Sequence, residues 1–444
     1  MIRSLLFASF AAAALLGCDR AVPEPLDATL SVVSPDLSEV QTESEITLRL
    51  AVQAGSGVVA VEVDGEPAQP DGDAFTATVA LAPGLNTLVL DGFDADGERL
   101  VRDSAVVLRA AVQTVSVPAP PGLDLSGALT ATRLASGGIL VAGGQPLQGG
   151  PPAAAVVTSG ASALFVASLV PLAGPRQAHS ATPVPERNAV LLVGGASTSV
   201  PQTPGDLVAT AELVLPDQGI TLAVPYVGGP IRRAGHQARA VTVDGTLYLY
   251  LVGGLVAGNP PTPGRGVDVL RYEPGDDEAP GGRLVVLSPE GGAGELPDLP
   301  RPVLVGDPSG SDGTATSLLY GLSRDGGVAL QLRWAPPATQ AYPVGLTLSD
   351  APPLLTPRTA AAGAAAGDGL FLISGGRSAD GTTLASIEAV VPALGRVFRL
   401  DGAGGLRTAR SGHAATILSD GRILTLGGVT GGNTSILAPE ITTL

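Results

Sequence analysis

A short apolar run that closes on two glycines recurs along this chain. It reads Ile-Leu-Val-Ala-Gly143-Gly144, Leu-Leu-Val-Gly194-Gly195, Leu-Val-Gly253-Gly254, Phe-Leu-Ile-Ser-Gly375-Gly376 and Leu-Thr-Leu-Gly427-Gly428. The first glycines stand 51, 59, 122 and 52 residues apart, so the third interval spans two periods and holds a degenerate copy. A repeat near 50 residues implies an array of like supersecondary units that bury their apolar faces on one another. Glycine suits the end of such a run because it takes positive φ and lets a neighbouring chain come close. The runs are continuous rather than alternating, as expected of strands covered on both faces.

The fifth copy displays the whole unit. Arg358 precedes a small-residue strand and Asp368-Gly369, then come Leu370–Ser374, the glycine pair, and strands at 386–391 and 396–400. The fourth copy is read as 301–305, 317–321, 328–332 and 344–348, with Gly321 alone in place of the pair. Four antiparallel strands per unit, repeated radially, predict a β-propeller. The order Arg, His-x-Ala, Asp-Gly, apolar run, Gly-Gly resembles kelch repeats over residues 111–444, in six units. The Tyr and Trp that usually follow the kelch glycine pair are missing nearly everywhere. The last unit supplies three strands, near 414–418, 422–426 and 435–438, which would leave exposed sheet edges. The segment Val112–Val117 is expected to add the fourth and close the ring.

The N-terminal part reads differently. Residues 1–17 combine Arg3 with a short apolar stretch and form a secretory signal, too short for a permanent membrane span. Leu15-Leu16-Gly17-Cys18 resembles the bacterial lipoprotein box, which implies lipidation of Cys18 and a tether over 18–26. Several acyl chains at about 0.8 kcal/mol per buried methylene would anchor the chain stably. Residues 27–110 carry short alternating strands and the turn signals Asp64-Gly65, Pro83-Gly84 and Asp96-Gly97, which suit a β-sandwich. Their pattern resembles bacterial immunoglobulin-like domains, and the resemblance implies a spacer. Asp94, Asp96 and Glu98 have oxygens suited to calcium, but an Asx-Gly turn accounts for them. The fold class expected is therefore all-β: an Ig-like β-sandwich followed by a six-bladed kelch-type propeller.

Charge narrows the partners. Residues 27–110 hold 15 acidic residues against 4 Arg, residues 111–444 hold 24 against 19, and Lys is absent. Such a chain is a poor ligand for nucleic acid or an anionic membrane face. Arg176, Arg233, Arg301, Arg358 and Arg410 precede the glycine position by 17 to 20 residues, and in an up-and-down blade they share a face with the loops after the glycines. Five guanidiniums at one mouth could bind an acidic loop or carboxylate; the other use of such residues is to tie blades together. His179, His236 and His413 each follow one of these Arg by three residues. As one repeat position in separate blades they are expected to bond turns within their own blades, with no metal.

No cofactor is expected. Galactose oxidase, a kelch-type propeller, needs a Tyr cross-linked to Cys beside its copper, and the single cysteine here is Cys18. Ser323-Arg-Asp325-Gly-Gly327 begins like a sialidase box but ends in Val328-Ala-Leu330, and only one Trp is present for stacking sugars. The expected activity is non-catalytic recognition of a protein or extracellular polymer by a lipid-anchored protein of the bacterial envelope, touching membrane only through its lipid. A structural role in envelope assembly without a ligand pocket is one alternative. A carbohydrate-active enzyme with scattered loop residues is the other.

Overall fold

Each apolar run before a glycine pair is the second strand of a four-stranded antiparallel ladder, extended in the third sheet by Tyr226–Val227 parallel to Arg283–Ser288, in the computed structural model, which describes residues 28–110, 112–144, 151–160, 163–288, 296–306, 316–335, 345–367, 369–400 and 405–443. The signal, Cys18 and the tether lie outside the described residues. Six such sheets follow one another along the chain. Their inner strands are Leu129–Arg133, Ser180–Val184, Gln237–Val243, Val303–Gly306, Ala362–Gly367 and Ala414–Ile417. Each inner strand neighbours the next, and the sixth neighbours the first, so the blades close a ring. The sixth blade takes its outermost strand from Gln113–Ser116, paired antiparallel with Glu440–Thr443; Val115 lies opposite Ile441 and Thr114 opposite Thr442. No α-helix occurs among the described residues.

The run Ala189–Val193 shows why the strands are apolar throughout. All five residues are at most 3% exposed. Val190 and Leu192 pack with Leu140 and Val170 of blade 1, while Leu191 and Val193 pack with Leu249 and Leu251 of blade 3. Each buried Val or Leu contributes roughly 1.5–3 kcal/mol. Blades 6 and 1 are joined in the same way, Leu424, Leu426 and Ile441 meeting Ile139 and Val141.

The glycine pairs end the second strands at positive φ, for example +63° and +100° at Gly194 and Gly195. They lead into long loops in blades 2, 3, 5 and 6, and the side bearing these loops is called the loop face here. Blade 4 departs from this. Its strands Thr316–Ser323 and Gly326–Ala335 are joined by Arg324 and Asp325 alone, with Gly321 paired inside the ladder opposite Val328.

The N-terminal strands form two further four-stranded sheets. One orders Leu30–Ser34, Glu45–Val52, Ala74–Ala80 and Gln69–Asp71; the other Glu66–Pro67, Ala60–Val63, Gly84–Phe93 and Arg99–Arg109. Leu48 and Leu50 are buried on the first, and Val61, Val63, Leu88 and Leu90 on the second. Asp64 and Gly65 both adopt positive φ, the conformation of a tight two-residue hairpin. Asp94 accepts the N–H groups of Asp96 and Glu98, closing its own turn. By contact density the chain divides into one unit built from residues before Asp36, 45–80 and 87–106, and another from 36–44, 81–86 and 107 onward.

Candidate functional site

Arg176, Arg233, Arg358 and Arg410 are at most 1% exposed. Each donates through Nη1 to the carbonyl of the first glycine of its own blade: Gly194 at 3.2 Å, Gly253 at 2.6 Å, Gly375 at 3.0 Å and Gly427 at 3.0 Å. Each also meets a buried carboxylate on the third strand, namely Glu212, Asp268 (2.9 Å), Glu388 and Glu440 (2.5 Å). The glutamates accept backbone N–H groups of the incoming linker as well: Ala173 for Glu212, Leu355 and Thr356 for Glu388, Arg407 and Thr408 for Glu440. The expectation that these four guanidiniums gather at an open mouth is thereby corrected. A charge taken out of water needs a bonded counter-charge, and each finds it inside its blade.

Sequence reasoning missed the four acids because their distance from the glycine pair varies with loop length. A recognisable signal exists nonetheless, one acid as the second residue of an otherwise apolar strand, as in Ala211-Glu212-Leu213 and Ile387-Glu388-Ala389.

Blades 1 and 4 replace both members of the pair at once. The carbonyl of Leu299 accepts the N–H of Gly254, as Arg233 does for Gly195 and Arg410 for Gly376. Leu299 thus holds the arginine place in blade 4, and Leu330, opposite Leu319, holds the acid place. In blade 1 the corresponding residues are Leu125 and Ala155, the former beside Gly427 and the latter opposite Val141.

The histidines bond between blades rather than within them, which corrects the second expectation. His179 Nε2 lies 2.9 Å from Thr130 Oγ1, His236 Nε2 is 2.9 Å from Ser180 Oγ, and His413 Nε2 is 3.1 Å from Ser374 Oγ. Each hydroxyl belongs to the preceding blade. Burial, reinforced by the nearest arginine, pushes His236 and His413 down to about 3 and His179 well below its ordinary value, so all three are neutral. No group of three His, Cys, Asp or Glu side chains comes together among the described residues.

Arg301 does something else. One residue per blade rims the axial channel at the loop face: Ala128, Ala178, Gly235, Arg301, Ala360 and Gly412. Backbone bonds run round this rim, Ala178 N–H to Ala128 O, Gly235 N–H to Ala178 O, Ala360 N–H to Arg301 O and Gly412 N–H to Ala360 O. Arg301 therefore stands two residues beyond the arginine place, on the axis. Its Cγ lies 3.3 Å from where a Cβ on Gly235 would sit, and its Nη1 3.7 Å from the same point on Gly412. Nη2 donates to Ser199 O of blade 2 at 3.5 Å. The side chain thus crosses the mouth from blade 4 toward blades 6 and 2. Burial and then the charge of Arg377 lower its proton affinity. Arg377 is itself held by Ser411 Oγ and Asn433 Oδ1. The channel below has a volume of about 220 Å³.

No protein-family model matches this chain, and no curated protein does. Among solved structures, that of YjhT is similar with a TM-score of 0.51 at 12% identity, over 73% of this chain and 95% of that one. A fungal alcohol oxidase of the AA5 family, in complex with copper, reaches a TM-score of 0.45 at 14% identity, over 80% and 67%. The likeness to YjhT supports the kelch-type propeller fold and carries no activity with it.

Proposed function

We propose that the propeller is a non-catalytic recognition module that docks a protein or extracellular polymer on its loop face. In the same reading Cys18 is lipidated and holds the chain at the bacterial envelope, with the N-terminal sheets as a spacer. One observation carries the docking part. The recurring acids and histidines, the groups suited to acid–base chemistry, are engaged in bonds within blades and between them, respectively, whereas the side chain sent across the axis is a cation. The loop beside it, between Val193 and Ala211, carries Val200, which is 65% exposed.

A photo-cross-linking residue placed at Val200, compared with one at Leu394 in a turn between the third and fourth strands on the other face, tests the docking. The full-length chain in whole cells is expected to cross-link a macromolecule from position 200 and not from 394. Equal yields from both positions, or a product from 394 alone, would contradict it. For the anchor, Cys18→Ala is expected to abolish incorporation of a radiolabelled fatty acid and release the protein from membranes.

A further inference from the structure

Six rim positions encircle the axis at the loop face, and five of them carry a hydrogen or a methyl group. The sixth carries a guanidinium lying across the opening. Among the described residues it has no carboxylate partner, and its one side-chain hydrogen bond there is the long one to Ser199 O. The other repeat arginines show how this chain treats a buried guanidinium that is meant to be silent, with a carboxylate and a glycine carbonyl at every one. In blade 4 the internal place, four residues before the inner strand as in blades 2, 3, 5 and 6, is filled by Leu299, and the arginine stands two residues later, at the rim position that Ala178, Gly235, Ala360 and Gly412 hold elsewhere.

We propose that this mouth binds a carboxylate, with Arg301 as the group that holds it. The geometry selects the anion. A guanidinium presents two parallel N–H groups that match a planar carboxylate. A tetrahedral phosphate would need further donors, but the rim N–H groups of Ala178, Gly235, Ala360 and Gly412 are already bonded around the ring. Arg377 raises the positive potential at the mouth. Apart from Arg301, the rim residues, all Gly or Ala, bring nothing larger than a methyl group to the opening. The ligand is a small free carboxylic acid or an acidic side chain presented by the docked macromolecule; its biological use rests on the docking reading above.

Calorimetric titration of the full-length protein distinguishes the sources, using sodium glutarate, acetyl-Gly-Glu-Gly-amide and acetyl-Gly-Gln-Gly-amide. At least one carboxylate probe is expected to bind with a Kd of about 1 mM or tighter, and Arg301→Gln to weaken it about tenfold or more. The melting temperature is expected to be unchanged, because Arg301 belongs to no internal ion pair. Arg301→Met, which keeps the aliphatic stem, should behave alike. Glutarate binding alone assigns the site to free acids, and peptide binding assigns it to a presented side chain. The proposal is overturned if neither carboxylate probe binds, if the Gln peptide binds and does so as tightly as the Glu peptide, or if both variants bind like the parent. Cross-linking from position 200 without probe binding would sink the carboxylate assignment alone; probe binding without cross-linking would sink the docking reading alone.

Discussion

A buried arginine in this protein is tolerable only because its charge is answered within hydrogen-bond reach. Removing one partner leaves an uncompensated charge, while removing both leaves an apolar contact, and blades 1 and 4 are built in the second way. Arg358→Leu alone is therefore expected to cost about 3–5 kcal/mol in urea denaturation. Adding Glu388→Leu should recover roughly half of that, the remainder reflecting the linker N–H groups of Leu355 and Thr356 that lose their acceptor. A double variant as unstable as the single one would show that charge is not the reason for the pairing. The histidines make a separate claim. His236 and His413 bind protons near pH 3 when folded and near pH 6.5 when unfolded, so the unfolded state takes up more protons and stability falls as pH drops through that window. Above it the contribution is flat. His236→Gln should lower the proton uptake on unfolding by about one between pH 6 and 4.5, read from the pH slope of the urea midpoint. The repeat positions of these residues were legible in the sequence. Their roles were not, because the partners lie on other strands or other blades at spacings set by loop length.

At the scale of the strand and its bend, periodicity was a sound guide. A continuous apolar run means two covered faces, and the run Ala189–Val193 has them. The glycine pairs are demanded by positive φ and by neighbouring chain together. At Gly376 φ is +97°, and an added methyl would lie 2.8 Å from both Ala361 Cβ and Thr359 O. At Gly381, in the loop that follows, φ is +84° and nothing lies within 4 Å. Gly381→Ala should thus cost about 1 kcal/mol from backbone strain, and Gly376→Ala about 3 kcal/mol or more, since overpacking is added. Equal melting temperatures for the two variants would refute the packing part of this account. The fourth blade was harder to read. Gly321 marks the right register but stays in the ladder, because a two-residue turn replaces the loop that would otherwise require a bend.

The ring as a whole depends on the meeting of its ends. Gln113–Ser116 and Glu440–Thr443 are more than 320 residues apart and pair in the last blade, where Ile441 is buried against blade 1. Deleting residues 439–444 removes one strand and orphans the other. The truncated protein is expected to elute as aggregate in gel filtration and to lose a cooperative melt, through exposed edges; a monomer with the parental melting temperature would refute closure as the source of cohesion. The number of units and the place of the glycine bends followed from the sequence alone, because they reflect local periodicity and local steric demand; the third strand of the last blade, expected at 435–438, instead runs Glu440–Thr443, beyond the loop that follows Gly428. Which arginine stays free of an internal partner did not follow from the sequence. That was decided by which residue falls four positions before the inner strand, and only the backbone bonds from neighbouring blades reveal that in blade 4 Leu299 has taken this internal place and Arg301 the axis.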